Sequence, residues 1–267
     1  MFIDTHCHIN MMIKKEFDVP LQKNFHNDVE TILLKATAQH VTKIINVGTS
    51  VAESMNCVLL AEAFPAIWAA IGTHPNDLTE TWHEDIKHYK KMLAKDNHRI
   101  VAIGEIGLDY HYPDYHKQRQ YDAFHAQIEL ALEHNLPIIV HTRDANDETL
   151  RIIETYKHEQ LKGIIHCFSE DQAFAHYAIA LGFLLGIGGT LTYPKNASLR
   201  TLFASLDLQH IVLETDAPFL PPQPIRGQQN HPSEILYIAD FLAKLKNIDV
   251  KTVASITTQN AERLFKI

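Results

Sequence analysis

The chain has 267 residues and a formal net charge of −8, with 24 Lys and Arg against 32 Asp and Glu. This acidic balance argues against a broad basic surface for duplex nucleic acid, although bound cations can neutralise phosphates locally. Apolar residues make up 46% of the chain, which is ordinary for a globular protein with a substantial core. The 18 histidines favour metal ligation as one of its functions.

Cysteine usage and hydropathy indicate the compartment. The three cysteines (Cys7, Cys57 and Cys167) have no zinc-type spacing, and their odd number suits reduced thiols in a cytosol. Asp4 and His6 interrupt the apolar start, so there is no signal-peptide pattern. No apolar run is long enough to cross a bilayer. The sequence therefore predicts a soluble, cytoplasmic protein, and it indicates no obligate protein partner.

Strand-like and helix-like stretches alternate along the chain. The predicted strands are 1–3, 43–47, 67–71, 100–103, 137–140, 163–165, 183–187 and 211–213. After a charged loop over 10–27, the predicted helices are 28–40 with Asp28 as cap, a helix to residue 63 capped by Ser50, 82–95, 115–134, 145–156, 171–181, 197–206, 232–246 and 249–265. Eight strands, each followed by a helix, predict an α/β fold, a (β/α)8 TIM barrel, with residues 1–267 as a single domain.

Ionisable residues follow six of the predicted strands at or near their ends. They are His6, His8, His74, Glu105, His141, His166 and Asp216. The carboxyl ends of the strands form the active-site face of such a barrel. A single histidine after a strand is usually a hydrogen-bonded loop residue, but the repetition on one rim predicts a polynuclear metal site. Extended backbone also places His6 and His8 on one face.

The expected chemistry follows from these residue types. The predicted metal ligands are four imidazoles and two carboxylates, His6, His8, His141, His166, Glu105 and Asp216. Glu105 can bridge two ions, and Asp216 can bind one ion and accept a proton from the attacking water. Because a divalent ion acidifies its bound water, no Ser or Cys nucleophile is needed. Cys7 and Cys167 lie one residue out of phase with the ligands, and we interpret both as buried structural thiols.

Six motifs contain these residues. They are Asp4-Thr5-His6-Cys7-His8, Gly72-Thr73-His74-Pro75, Gly104-Glu105-Ile106-Gly107-Leu108-Asp109-Tyr110, Val140-His141-Thr142-Arg143-Asp144-Ala145, His166-Cys167-Phe168 and Leu213-Glu214-Thr215-Asp216-Ala217-Pro218. Together they resemble the TatD family of metal-dependent deoxyribonucleases in the amidohydrolase superfamily. The resemblance implies a TIM-barrel hydrolase that cleaves phosphodiesters with two divalent cations (Mg, Mn or Zn), often as a 3′→5′ exonuclease on single-stranded DNA.

The resemblance also implies roles for individual residues. One cation would be held by His6, His8, Glu105 and Asp216, and the second by Glu105, His141 and His166, with Asp216 and Glu105 as the catalytic residues. The sequence departs from the usual family pattern at two loops. Asn76 stands where a second histidine is frequent, and His231 stands where glutamate is common. Both departures affect the surroundings of the substrate rather than the six ligands.

Two residues on the same rim are predicted to bind substrate. His74 could contact a phosphate oxygen or protonate a leaving group, and a structural loop histidine is the alternative. Arg143 could bind a phosphate bidentately, with a surface ion pair to Asp144 or Asp147 as the alternative. Arg226 is better interpreted as a solvated loop residue than as a phosphate clamp.

Aromatic residues and the overall reaction have alternatives as well. Tyr110, Tyr112 and Phe168 could stack on bases, or they could close the top of the barrel. A hydrolase of a small ester, lactone or amide is the alternative enzyme. Many such relatives bridge their metals with a carboxylated lysine, whereas Glu105 occupies that strand here. A non-catalytic metal-binding protein is disfavoured because all six ligands are present.

Overall fold

A computed structural model gives the architecture of the chain and describes residues 1–14, 16–95 and 97–267. Residue 15 of the predicted loop over 10–27 therefore lies outside the described residues. Within the described ranges, eight parallel strands pair in chain order. They are β1 (Phe2–Cys7), β2 (Val41–Val47), β3 (Ile67–Ile71), β4 (Ile100–Asp109), β5 (Ile138–Arg143), β6 (Gly163–Ile165), β7 (Phe183–Ile187) and β8 (Ile211–Leu213). A bridge between Cys7 and Ala217 brings the two ends of the sheet together.

At least one helix follows each strand. Among the described residues the helices are α1 (Ile9–Met12), α2 (His26–Ala38), α3 (Val51–Ala63), α4 (Trp82–Leu93), α5 (Lys117–Glu133), α6 (Asn146–Thr155), α7 (Gln172–Ala180), α8 (Ala197–Ser205), α9 (Ile235–Lys246) and α10 (Val250–Phe265). This alternation confirms the predicted (β/α)8 TIM barrel. The treatment of residues 1–267 as one domain stays a prediction. No helix in the described parts of the chain is long and apolar enough to span a membrane.

The predicted fourth strand, 100–103, is too short. β4 continues to Asp109, so it contains Glu105, and the extension pairs with β5. Gly107 has φ +144°, and a Cβ atom there would lie 1.9 Å from the carbonyl oxygen of His141. Glycine is depleted in strands, and Gly104 and Gly107 both follow residue 103, so the sequence pattern predicts that the strand ends there. The close contact between the two strands explains why glycine is required.

Helix starts were predicted with mixed success. Ser50 caps α3 as expected, because its side-chain oxygen accepts the Glu53 N–H at 3.2 Å. The prediction of Asp28 as a cap was wrong: α2 begins at His26, and Asp28 lies inside its first turn. The predicted helix 232–246 begins instead with a 3-10 turn, Pro232–Glu234, before α9.

A buried carboxylate joins β1 to the segment after β8. Asp4 accepts hydrogen bonds from the Thr215 hydroxyl at 2.6 Å and from the Thr215 N–H at 3.0 Å. Next to it, the Asp216 N–H donates to the His6 carbonyl at 2.9 Å. Buried hydrogen bonds of this kind fix a register firmly because an unpaired polar group would be costly. The register of His6 against Asp216 is thereby set by backbone and core contacts.

The long segment after β1 is attached to α3 through Glu53, whose side chain is fully buried. Its carboxylate accepts hydrogen bonds from the Asn10 amide at 2.8 Å, from the Asp18 N–H at 2.7 Å and from the Lys14 ammonium. Burial alone raises the pKa of Glu53, but the bonds from Lys14 and Asn10 outweigh it and hold the pKa below its ordinary value. The carboxylate is therefore ionised at neutral pH, and it stabilises the segment.

Removing this carboxylate tests its contribution to stability. We expect Glu53→Ala to lower the free energy of unfolding by about 3 kcal/mol at pH 7, because Lys14 loses its buried partner. Folding lowers the pKa of Glu53. Its contribution to stability is therefore fully present above pH 4.5, the ordinary pKa of a glutamate, and is lost as the pH falls through the lower pKa of the folded state. Denaturant titrations from pH 7 to pH 3 should show the difference from the wild type shrinking. Glu30→Ala, at an exposed position of α2, is the control; an equal loss there would refute the assignment.

Candidate active site

Four donor atoms converge at the carboxyl end of the barrel, and they come from β1, β4 and the segments that follow β1 and β8. His6 Nε2 lies 3.1 Å from His8 Nε2 and 3.4 Å from Glu105 Oε2. Asp216 Oδ1 lies 3.3 Å from His8 Nε2 and 3.7 Å from His6 Nε2. Donor atoms that bind one cation at 2.0–2.2 Å in tetrahedral geometry are separated by about 3.3–3.6 Å. The first donor set, His6, His8, Glu105 Oε2 and Asp216, is close to that spacing.

The other oxygen of Glu105 belongs to a second group of donors. His141 Nδ1 lies 3.0 Å from Glu105 Oε1, and His166 Nε2 lies 3.7 Å from the same oxygen. We call Glu105 Oε1, His141 and His166 the second donor set. The two oxygens of one carboxylate thus have different nearest imidazoles, and the structure brings together all six predicted ligands. The His166 ring also stacks on His6 at 3.5 Å, so the two donor sets adjoin each other.

In two of the imidazoles, a hydrogen-bond acceptor contacts the outer ring nitrogen, which is the nitrogen that points away from the donor sets. His8 Nδ1 is 2.8 Å from the carbonyl oxygen of Val47, and His141 Nε2 is 3.1 Å from Asp109 Oδ2. A carbonyl or carboxylate oxygen can only accept, so in each case the outer nitrogen carries the proton. In the neutral ring the inner nitrogen then has a lone pair directed at the donor set.

His166 is oriented by Glu214. Its Nδ1 lies 3.0 Å from Glu214 Oε1 as an ion-pair contact, and the same oxygen accepts the Cys167 N–H at 2.6 Å. The carboxylate occupies space that a side chain would need at Gly186, where a Cβ atom would lie 2.2 Å from Glu214 Oε2. Glycine on β7 therefore makes room for the group that orients His166.

These contacts determine what the two donor sets can hold. In neutral His8 and His141 the inner lone pairs face oxygens of Asp216 and Glu105, and such buried acceptor–acceptor contacts are unfavourable unless a positive charge lies between them. The negative potential of these carboxylates also favours protonation of the imidazoles. Burial lowers the pKa of His166, but the carboxylates of Glu214 and Glu105 outweigh it and raise the pKa to about 10. The donor types and the electrostatics both suit divalent cations.

A cavity of about 830 Å3 opens above both donor sets. The two predicted substrate-binding residues, His74 and Arg143, line it. His74 Nδ1 accepts the Asn76 N–H at 3.1 Å, so the proton of its neutral ring lies on Nε2, 3.7 Å from Glu105 Oε1. Burial and the charge of His141 lower the pKa of His74 to about 3. The geometry therefore presents His74 as a neutral N–H donor and not as a charged acid.

Arg143 and Arg226 both lie against aromatic rings. The Arg143 guanidinium carbon is 5.6 Å from the ring centre of Tyr112, and that of Arg226 is 4.3 Å from the ring of Tyr193. Among the described residues Arg143 forms no salt bridge with Asp144, which instead pairs with His111, nor with Asp147. The guanidinium of Arg143 is thus available to the cavity.

Phe168 and Tyr110 make contacts other than base stacking, and the two thiols beside the predicted ligands differ in burial. Phe168 is buried and packs against other core aromatics, which excludes it as a stacking surface. Tyr110 donates its hydroxyl to Glu148 at 2.9 Å. Cys7 is buried as expected, but the interpretation of Cys167 as a buried thiol was wrong, because it is half-buried and lines the cavity.

The comparison with known proteins identifies the family. The model of the family described as TatD related DNase matches residues 3–266. The chain belongs to the TatD related DNase family. This agrees with the resemblance found in the sequence, and this TatD-family protein is a metal-dependent hydrolase.

Relatives match along nearly their whole length. The chain is 36% identical to the "Uncharacterized metal-dependent hydrolase YabD" of Bacillus subtilis (strain 168) over 267 residues, which is 100% of both chains. It is 30% identical over 249 residues to the "3'-5' ssDNA/RNA exonuclease TatD" of Pectobacterium parmentieri (strain WPP163), covering 91% of this chain and 95% of that protein. The crystal structure of the TatD homolog YjjV from Escherichia coli K12 superposes with a TM-score of 0.89 at 30% identity, covering 100% of this chain and 98% of that one.

Two carboxylates of this TatD-family site were missing from the prediction. Asp109 orients His141, and Glu214 orients His166. Both residues belong to motifs that also contain predicted ligands. The sequence signal that could have identified them is an acidic residue near the end of a strand. Asn76, at one of the departures from the family pattern, donates to Asp109 Oδ2 at 2.9 Å. The asparagine at this position therefore supports the carboxylate behind a donor histidine.

The role of Asp109 can be tested by cation binding. We expect Asp109→Ala to weaken divalent-cation binding by about 10–100-fold, because His141 loses the acceptor that orients it. Asp109→Asn keeps one acceptor oxygen, so its affinity for divalent cations should fall less than that of Asp109→Ala. Calorimetric titration of the metal-free protein with Mn²⁺ and Zn²⁺ measures both variants. Asp147→Ala is the control, and an Asp109→Ala protein that folds and binds cations like it would contradict the role.

Proposed function

We propose that this TatD-family hydrolase removes nucleotides from the 3′ end of single-stranded DNA with two divalent cations. The observation that carries the proposal is the Glu105 carboxylate, which faces one donor set with each oxygen at the floor of a cavity lined by Arg143. Paired divalent cations are a common arrangement for phosphodiester cleavage. The similarity to a relative named as an ssDNA/RNA exonuclease supports the choice of substrate.

The six ligands divide between two cations in this proposal. His6, His8, Glu105 Oε2 and Asp216 would hold the first, and Glu105 Oε1, His141 and His166 would hold the second. The imidazoles suit zinc, whereas the carboxylates also accept magnesium and manganese. When bound, the cations would supply Lewis acidity at the phosphate oxygens and would lower the pKa of the attacking water.

The protein's own side chains would bind the substrate and move protons. Arg143 would hold a phosphate through its guanidinium, and the His74 Nε2–H would donate to a phosphate oxygen. Asp216 has Oδ1 in the first donor set, so Oδ2 is the oxygen that would accept a proton from the attacking water. The water oxygen bonds to phosphorus, the P–O3′ bond of the preceding nucleotide breaks, and that 3′ oxygen takes up a proton. The product is a 5′-mononucleotide.

A hydrolase of small esters, lactones or amides is the alternative. Two cationic side chains, Arg143 and Lys195, line the cavity in addition to the donor sets. Uncharged esters would make no use of these charges, whereas a phosphodiester chain would. The alternative therefore has less support than the nuclease.

Two substitutions test the assignment. We expect Asp216→Asn to lower kcat by about 10²–10⁴-fold because the proton acceptor is lost. Glu105→Ala should abolish both activity and tight cation binding, because both donor sets lose an oxygen. Release of nucleotides from a labelled single-stranded oligonucleotide, with Mg²⁺, Mn²⁺ or Zn²⁺ added to metal-free protein, measures activity, and calorimetry measures binding. Asp207→Asn is the control, at an exposed position after α8. Wild-type protein that binds the cations and leaves the oligonucleotide intact would refute the nuclease.

A further inference from the structure

The charges around the cavity are separated by sign. Beyond the residues of the two donor sets, four charged side chains line it, Asp18, Asp77, Arg143 and Lys195, among the residues that the structure describes. We call Asp18 and Asp77 the acidic pair, and Arg143 and Lys195 the basic pair. A polyanionic chain that crosses the cavity meets these pairs in turn, so their positions around the barrel matter.

Asp18 is held in place above β2. Its backbone N–H donates to the buried carboxylate of Glu53 at 2.7 Å, and its own carboxylate accepts a hydrogen bond from the Ser50 hydroxyl. Ser50 directly precedes α3, in the connection that follows β2. The carboxylate of Asp18 is thus fixed at this side of the cavity although it is exposed to solvent.

Asp77 lies on the same side. Its N–H donates to the His74 carbonyl at 2.9 Å, and the His74 N–H donates to the carbonyl of Thr49 at 2.8 Å, two residues beyond β2. Reduced solvation and the nearby charge of Asp18 raise the pKa of Asp77 to about 6. Both carboxylates line the same cavity, and Asp77 is ionised at pH 8.

The basic pair is on the opposite side. Arg143 is the last residue of β5, and Lys195 follows β7, so the two flank β6. In a barrel of eight strands β6 is diametrically opposite β2. The segment that carries Lys195 is held by a hydrogen bond from the Asn196 amide to the Thr190 carbonyl at 2.9 Å. The donor sets lie on the barrel floor between the two pairs.

We propose that the acidic pair selects single strands that end in a 3′-hydroxyl over strands that end in a 3′-phosphate. This proposal rests on the proposed function. With the scissile phosphate at the donor sets, the remaining strand extends towards the basic pair, because its phosphates are attracted there and repelled by the carboxylates. The terminal sugar then faces Asp18 and Asp77. A hydroxyl donates a hydrogen bond to a carboxylate, whereas a terminal phosphate brings close to two further negative charges.

The test compares two oligonucleotides that differ only at the 3′ end. We expect wild-type kcat/KM, measured at pH 8, to be at least about tenfold higher for the 3′-hydroxyl strand than for the 3′-phosphorylated strand. The double variant Asp18→Asn/Asp77→Asn should bring the two values to within about threefold of each other by removing the repulsion. Asp122→Asn/Asp240→Asn is a matched double variant with the same change in charge on solvent-facing parts of α5 and α9.

The outcomes separate the inference from the proposed function. A preference that falls only in the acidic-pair variant supports the inference. A preference that is absent in the wild type, or unchanged or equally reduced in both variants, overturns the inference while leaving a nuclease. Failure of the wild type to cleave either strand overturns both. The salt dependence of the wild-type preference is a second test, which needs no substitution. The preference should fall as ionic strength rises, because salt screens the repulsion, and a preference independent of salt would overturn the electrostatic account.

Discussion

The carboxylate of Glu105 is the interaction on which the rest of the site depends. It is almost completely buried, and its two oxygens face donors from opposite sides, His6 on one and His141 on the other. A buried carboxylate is costly unless positive charge surrounds it. The surrounding imidazoles turn ring nitrogens towards it, so this environment favours positive charge, which protons on the rings or bound cations can supply. A metal-dependent hydrolase is the class of protein that fits this arrangement.

The outer contacts of the histidines make that arrangement specific. Val47, Asp109 and Glu214 each lie beside the outer nitrogen of one ring and thereby leave the inner nitrogen free to act as a donor. These acceptors come from three different strands or their ends. The barrel therefore sets not only where the imidazoles lie but also which nitrogen carries the proton. Rigid strands are well suited to this because small displacements would weaken several contacts together.

The rim of the cavity is built differently from its floor. The floor consists of residues on strands or directly after them, whereas the acidic and basic pairs come mostly from connecting segments. Glu53 fixes one of these segments from below, since it is buried in α3 and bonded to the backbone of Asp18. A segment tied in this way can present a charge to solvent without losing its position. The protein's overall charge of −8 conceals this local separation of sign.

The sequence by itself predicted the barrel and the six candidate ligands, because strand periodicity and ionisable residues at strand ends are local signals. It could not determine the extent of β4, since the close contact that requires glycine at residue 107 is made by the neighbouring strand. Nor could it assign the role of Asp109, which depends on its distance to His141 on the neighbouring strand β5. The separation of Asp18 from Lys195 is likewise a property of the closed barrel. Only the tertiary structure brings such residues to opposite sides of one cavity.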